Sequence, residues 1–301
     1  MEKENLEIKV KPRKAWKALL LSLLALGLGQ IYNGQIKKFL ILWAFLILVP
    51  ITFLFTNLLI TFYGWIILAV FLIGLQLYAI VDACISAKMQ KQYVLKKYNK
   101  SYFYVVFGIF FYVAVHLWAV STEWWGIGSV RTFKITMESS EPSLQIGDNI
   151  VADMRAYKNT DPDYGDIVIF KMDNVNYIFR VVGKPNDTLS FKDNYLIINN
   201  KCVRNSFIKT KQIDNLQVNV YHERLPNGCV YQIYKHADIP NYETITIDSV
   251  IIPRDCYFLM GDNRDNAMDS RYLGFIRREQ IIGKAVFILT GKSGRMNINL
   301  N

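Results

Sequence analysis

The residues able to do chemistry gather in four short segments of the second half of the chain. They are Met137-Glu138-Ser139-Ser140-Glu141-Pro142-Ser143-Leu144-Gln145-Ile146-Gly147-Asp148, Tyr164-Gly165-Asp166-Ile167-Val168-Ile169-Phe170, Tyr177-Ile178-Phe179-Arg180-Val181-Val182-Gly183-Lys184-Pro185-Asn186-Asp187, and Met260-Gly261-Asp262-Asn263-Arg264-Asp265-Asn266-Ala267-Met268-Asp269-Ser270-Arg271-Tyr272-Leu273-Gly274. A serine hydroxyl becomes a nucleophile where a neighbouring group takes its proton. Read by itself, Ser139 is a turn serine ahead of Glu141 and Pro142. Gly147-Asp148 and Gly165-Asp166 read most simply as turns entering strands. Metal chemistry has no support: Cys84, Cys202, Cys229 and Cys256 show no CxxC or Cys/His spacing. No cofactor is expected.

The elements that must position these segments lie in two solvents. The 301 residues suffice for about two domains. A hydrophobic share of 52% and a mean hydropathy of +0.15 are too apolar for an ordinary soluble domain. The formal charge of +10 suits nucleic acid or an anionic membrane surface. Much of the Lys/Arg lies beside long apolar runs, which favours the membrane and excludes nucleic acid.

Residues 1–120 read as the membrane region. A basic leader (Lys9, Lys11, Arg13, Lys14, Lys17) precedes a short apolar run, Ala18 to Leu26, and a turn-rich stretch, Gly27 to Gly34. The segment 18–32 is expected to be re-entrant or interfacial. Three longer runs follow, Phe39 to Thr61, Tyr63 to Cys84 and Tyr102 to Val120, each long enough to cross a hydrocarbon core of ~30 Å. No small-residue cleavage site marks a cleavable leader after the first run. Lys37 and Lys38 before the first span, and Lys88, Lys91, Lys96, Lys97 and Lys100 between the second and third, place those loops in the cytoplasm. Everything after about Ser121 then lies outside, with Trp124 and Trp125 at the interface. Asp82 and His116 are the candidates that the long runs offer for an ion path, which is a distant reading.

Residues 121–301 read as an all-β domain. Asp166 to Phe170, Tyr177 to Val182, Tyr195 to Ile198, Thr244 to Ile247 and Ala285 to Leu289 are short, β-branched or aromatic, and bounded by turn residues. The stretch of about 201–241 is polar with weak strand patterning and reads as an insertion. Pairing of Cys202 with Cys229 and free thiols are equally open.

The four segments, in this order, resemble the bacterial type I signal peptidases over roughly half the chain, and the fourth is the most specific. The Gly27 to Gly34 stretch resembles, with low specificity, the turn of small two-helix membrane modules. The family resemblance implies an all-β signal-peptidase-like extracytoplasmic domain attached to an α-helical transmembrane region. It also implies a multi-pass protein of the inner membrane that cleaves signal peptides from exported preproteins. The family's chemistry is a serine/lysine dyad in which a neutral lysine deprotonates the serine. Ser139 takes the nucleophile position. Gly261, Asp262, Asn263 and Arg264 would form the supporting turn, with Asp269 and Arg271 paired beneath it and Arg180 beside the base position.

The pattern breaks at three places. The family's lysine falls one residue before the arginine of the third segment, where this chain has Phe179. A serine that orients the lysine amine is replaced by Ala267, and a hydroxyl that helps hold the oxyanion by Met137. Lys171, Lys184, His222 and His236 are the other titratable residues weighed as substitutes; alternation along a strand turns Lys184 away from Phe179. Two readings follow: a membrane-bound serine endopeptidase, or a catalytically inactive relative that binds signal peptides or a membrane-protein partner.

Overall fold

The computed structural model describes residues 10–94, 99, 101–124, 130–192, 195–213, 216–237 and 246–300. Lys9, Lys96, Lys97, Lys100, Trp125 and Thr244 lie outside the described residues. The chain divides into two compact units, Met1–Gly128 and Ser129–Asn301.

The first unit is helical: α1 (Ala15–Leu24), α2 (Leu28–Tyr32), α3 (Ile36–Phe55), α4 (Phe62–Met89) and α5 (Ser101–Trp124), with a small pair of strands, β1 (Val10–Lys11) and β2 (Tyr93–Val94). α3 and α4 are long and apolar enough to cross a membrane, at mean hydropathies of 2.4 and 2.3. The run expected to span 39–61 is a helix only to Phe55. Asn57 then takes a left-handed conformation, and a short 3-10 turn, Leu58–Ile60, leads into α4.

The ten residues of α1 reach only about 15 Å, and Gly27 at φ 85° separates them from α2. Ala79, Ala83 and Ala87 form a fully buried stripe along α4, which lets the α1–α2 turn approach closely. A Cβ on Gly29 would stand 2.7 Å from that of Ala83. Amide side chains fasten the turn. Gln30 Nε2 donates to the Ala79 carbonyl at 2.7 Å and Asn33 Nδ2 to that of Ala83 at 2.7 Å. Gln35 Nε2 reaches Ser86 Oγ at 3.0 Å, and Gln76 Nε2 reaches the Ser22 carbonyl at 2.7 Å.

The second unit is mostly β. Its main sheet contains β3 (Val130–Lys134), β4 (Asn149–Asp153), β5 (Ile167–Met172), β6 (Val175–Gly183), β14 (Cys256–Met260), β15 (Ile276–Arg277), β16 (Ile281–Thr290) and β17 (Ile298–Asn299). The order is β15-β14-β6-β5-β16-β4-β3, with β17 against β16. A second sheet, β13-β7-β8-β9, joins Ile247–Ile251, Thr188–Lys192, Tyr195–Ile198 and Lys201–Cys202. A third, β10-β11-β12, joins Arg204–Ile213, Leu216–Arg224 and Val230–His236.

The region read as a weakly patterned insertion therefore holds a continuous three-stranded sheet. β10 is exposed along nearly its whole length, so it lacks the apolar/polar alternation that marks a half-buried strand. Cys202 and Cys229 are free thiols.

Candidate active site

Ser139 sits in a single 3-10 turn, Glu138–Ser140, between β3 and β4. Its neighbour Ser140 is buried and donates from Oγ to the Ile178 carbonyl at 2.7 Å, which ties the turn to β6. On its other side the turn meets the fourth segment. The Asn263 N–H donates to the Ser139 carbonyl at 3.1 Å, and Asn263 Nδ2 donates to the Glu138 carbonyl at 3.2 Å. Position 261 must be glycine for this approach: a Cβ there would lie 2.4 Å from the Ser139 carbonyl oxygen and 2.5 Å from Ala267 Cβ.

Three buried ion pairs hold the surrounding loops. Arg180 Nε and NH2 grip the two carboxylate oxygens of Asp262 at 2.9 and 2.7 Å, and its NH1 donates to the Gly165 carbonyl at 2.7 Å. Arg271 clamps Asp269 in the same bidentate way, at 2.8 and 2.9 Å. Asp269 in turn accepts the Gly261 N–H at 2.9 Å. Arg264 donates through Nε to the Gly261 carbonyl at 3.1 Å and binds Glu223 through NH1 at 2.8 Å and through NH2. Such planar two-point pairs fix orientation as well as charge.

The structure thus brings together Ser139, Phe179, Arg180, Gly261, Asp262, Asn263, Arg264, Asp269 and Arg271. It adds Glu223 and Tyr231, whose hydroxyl also donates to Glu223. Glu223 is fully buried. Burial works to raise its pKa, but the Arg264 guanidinium and the bonds from Arg264 and Tyr231 outweigh it and hold the carboxyl below its ordinary value. Glu223 is the one acidic residue between Leu216 and His236, the acid that the turn's arginine requires as a partner.

Phe179 is 4% exposed. Its ring packs on Phe170 and Tyr177, with centroids 5.8 and 6.3 Å away, in an apolar cluster that includes Ala267. Lys171 is exposed on β5 opposite Asn176. Lys184 is paired with Asp163 at 2.9 Å. His222 and His236 belong to β11 and β12. None of these four lines the clefts at Ser139.

Residues Val175–Phe179 of β6 pair with β5 on one edge, while on the other, among the described residues, β14 takes only Arg180–Gly183. Beside that open edge lies a cleft of about 70 Å³. Lys134, Ile135, Thr136 and Met137 line one part, Asn176, Tyr177, Ile178 and Phe179 another, and Ser139 and Ser140 complete it. A wider opening of about 440 Å³ shares Ser139, Tyr177 and Phe179 and adds Glu138, Ile146, Asn266 and Met268. An unpaired strand edge beside apolar pockets takes an extended peptide by main-chain hydrogen bonding, with side chains sorted by the pockets. The Ser139 N–H lies at the start of its turn, where no intrahelical acceptor exists, so it can donate to a carbonyl oxygen that becomes an oxyanion. Met137 supplies no hydroxyl for that purpose.

The family model for signal peptidase, peptidase S26, matches residues 105–290. Signal peptidase I of Pseudomonas fluorescens is 32% identical over 231 residues, 68% of this chain and 75% of the relative. Signal peptidase I of Pseudomonas aeruginosa is 30% identical over 230 residues, again 68% and 75%. Signal peptidase IB of Staphylococcus aureus is 30% identical over 159 residues, 52% of this chain and 76% of the relative. With the family model covering more than half of the chain and all four segments, the chain belongs to the signal peptidase (peptidase S26) family.

Proposed function

We propose that this chain is a membrane-bound serine endopeptidase of signal peptidase I type that cleaves signal peptides from exported preproteins. The observation that carries the reading is the open β6 edge beside Ser139. A signal peptide's cleavage segment, extended along Asn176–Phe179, brings its scissile carbonyl to the Ser139 hydroxyl. The small residues around such a cleavage site suit a cleft of about 70 Å³ walled by Ile135, Ile178 and Phe179. Attack by Oγ forms a tetrahedral oxyanion that the Ser139 N–H stabilises; its collapse breaks the peptide bond, the mature chain leaves as an amine carrying the proton lost by the hydroxyl, and water hydrolyses the acyl-enzyme that remains.

The Ser139 proton does not go to position 179, because a phenyl ring accepts none. Glu138 and Lys134 are the charged side chains that line the clefts with Ser139. Glu138 already accepts Asn266 Nδ2 at one carboxylate oxygen, at 3.0 Å. The apolar ring of Phe179, together with Ala267 and Met137, favours a second reading, in which the cleft binds signal peptides without cutting them.

The three apolar runs, 39–61, 63–84 and 102–120, serve as membrane spans with the β unit outside the cytoplasm, and the Lys37–Lys38 and Lys88–Lys91 ends inside. Cys202, an exposed free thiol, reports on this arrangement. Its labelling by an impermeant reagent in intact cells supports it, and labelling only after lysis contradicts it. For the activity, the detergent-solubilised full chain is incubated with a preprotein carrying a small-x-small site, beside Ser139→Ala. Cleavage that disappears in Ser139→Ala supports the peptidase. Cross-linking of the intact preprotein to the cleft without cleavage supports the binding reading.

A further inference from the structure

One end of the helical unit holds six lysines and a half-buried arginine, Arg13. The Arg13 N–H donates to the Gln90 carbonyl at 3.1 Å. Gln90 Nε2 donates to the Asn33 carbonyl at 3.1 Å, and the Lys14 N–H donates to the Tyr32 hydroxyl at 3.1 Å. These bonds bring the start of α1, the start of α3 and the end of α4 together. Lys14 and Lys17, Lys37 and Lys38, and Lys88 and Lys91 belong to those ends. Between residues 10 and 113 the sequence holds one acid, Asp82, and Lys38 already occupies it at 2.6 Å.

Arg13 stands between two aromatic rings. Its guanidinium carbon is 4.3 Å from the Tyr32 ring centroid and 3.9 Å from that of Tyr93. Its Nε and one NH2 nitrogen are buried and have no hydrogen-bond partner among the described residues. Two stacked rings stabilise a desolvated guanidinium through cation–π attraction but satisfy no N–H. A guanidinium edge presents two parallel donors, matched in spacing to two oxygens of one phosphate. Basic pockets between membrane helices at the cytoplasmic side hold anionic headgroups for these reasons.

We propose that Arg13, held between Tyr32 and Tyr93, anchors a binding site for a phosphate ester. The lysine-rich ends of α1, α3 and α4 attract the anion, and an anionic phospholipid headgroup at this membrane face is the source that fits the setting. The site is separate from Ser139 and independent of its chemistry.

The test uses the delipidated full chain in zwitterionic detergent. Phosphatidylglycerol, phosphatidylcholine and inorganic phosphate are offered separately, and retained ligand is read by native mass spectrometry. Wild type is expected to retain phosphatidylglycerol in preference to phosphatidylcholine. Arg13→Gln is expected to weaken that retention roughly tenfold, the effect of losing charge-assisted hydrogen bonds, with phosphatidylcholine unchanged. Saturable inorganic phosphate binding that is lost in Arg13→Gln would retain the phosphate site and make its source soluble. Arg13→Lys keeps the charge, loses the planar fork, and serves where the glutamine variant fails to fold; it too should lose retention. No preference for phosphatidylglycerol and no phosphate binding in wild type, or equal retention in wild type and a folded Arg13 variant, overturns the proposal.

Discussion

The Ser139 carbonyl oxygen accepts the backbone N–H of Asn263 at 3.1 Å, so the proposed nucleophile is fastened to a turn 124 residues further along the chain (263 − 139). Both residues of the contact are backbone donors or acceptors. Its geometry therefore depends on what lets the two main chains approach.

Gly261 is that feature. A methyl group at this position would meet the Ser139 carbonyl at 2.4 Å, and both partners are main chain or tightly packed. Gly261→Ala is expected to destabilise the β unit by about 1–3 kcal/mol, the usual result of overpacking, and to abolish any Ser139-dependent cleavage. Denaturant unfolding and peptide cleavage of the same preparation check the two effects. Unchanged stability with full activity would show that the turn does not hold the serine.

The Arg264–Glu223 pair is fully desolvated, with 3% and 0% of the two side chains exposed. Removing one partner strands the other. Arg264→Met alone is expected to cost about 3–5 kcal/mol, while adding Glu223→Leu should recover much of the loss. A double-mutant cycle on unfolding free energies measures this, and strict additivity of the two losses would contradict it. Because the Glu223 pKa is lowered in the fold, its contribution is present above the unfolded value and fades as pH falls through the folded one. Wild type should lose stability more steeply than Glu223→Gln below about pH 4.

Lys235 gives the opposite sign. Burial, and then the nearby Arg264 charge, push its amine down to about 8. Between that value and the ordinary lysine value near 10.4 the unfolded chain holds a proton that the folded chain lacks. Stability should therefore rise with pH from about 8 towards 10. Thermal unfolding of wild type and Lys235→Met across that range should show the rise in the first and its absence in the second.

In the helical unit, Ala83 is fully buried where α2 lies closest to α4. Ala83→Leu is expected to force α2 away and lower stability by about 1–3 kcal/mol, while Ile73→Leu, at a position 61% exposed, should leave it unchanged. Melting of the solubilised chain distinguishes the two. An equal response to both substitutions would argue against the close helix approach.

Much of this organisation is legible in the residues themselves. Tyr195–Ile198 was readable as a strand because its short β-branched run ends at turn residues, and the structure forms β8 over the same span. Gly147 and Gly165 were readable as turns, and both have positive φ. The pairing of Arg271 with Asp269 is expected from the fourth segment, and the structure forms it; the pairing of Arg180 with Asp262 was not expected, because the two residues lie in different segments. Glu223 and Tyr231 were not legible as site residues, because they reach the turn from a sheet whose outer strand is exposed along nearly its whole length. The open edge of β6 was also out of reach. It depends on where β14 stops pairing, a tertiary fact with no local residue signature.

In the proposed function Ser139 stands at the mouth of a peptide-binding cleft, and Phe179 fills the position of the family's base. The most direct measurement compares preprotein cleavage by wild type and by Phe179→Lys with Ala267→Ser, each with Ser139→Ala as control. The double substitution is expected to raise the Ser139-dependent rate by roughly 10²–10⁴-fold, the usual contribution of a positioned general base. A folded double variant that cleaves no faster than wild type would contradict the placement of the base at position 179.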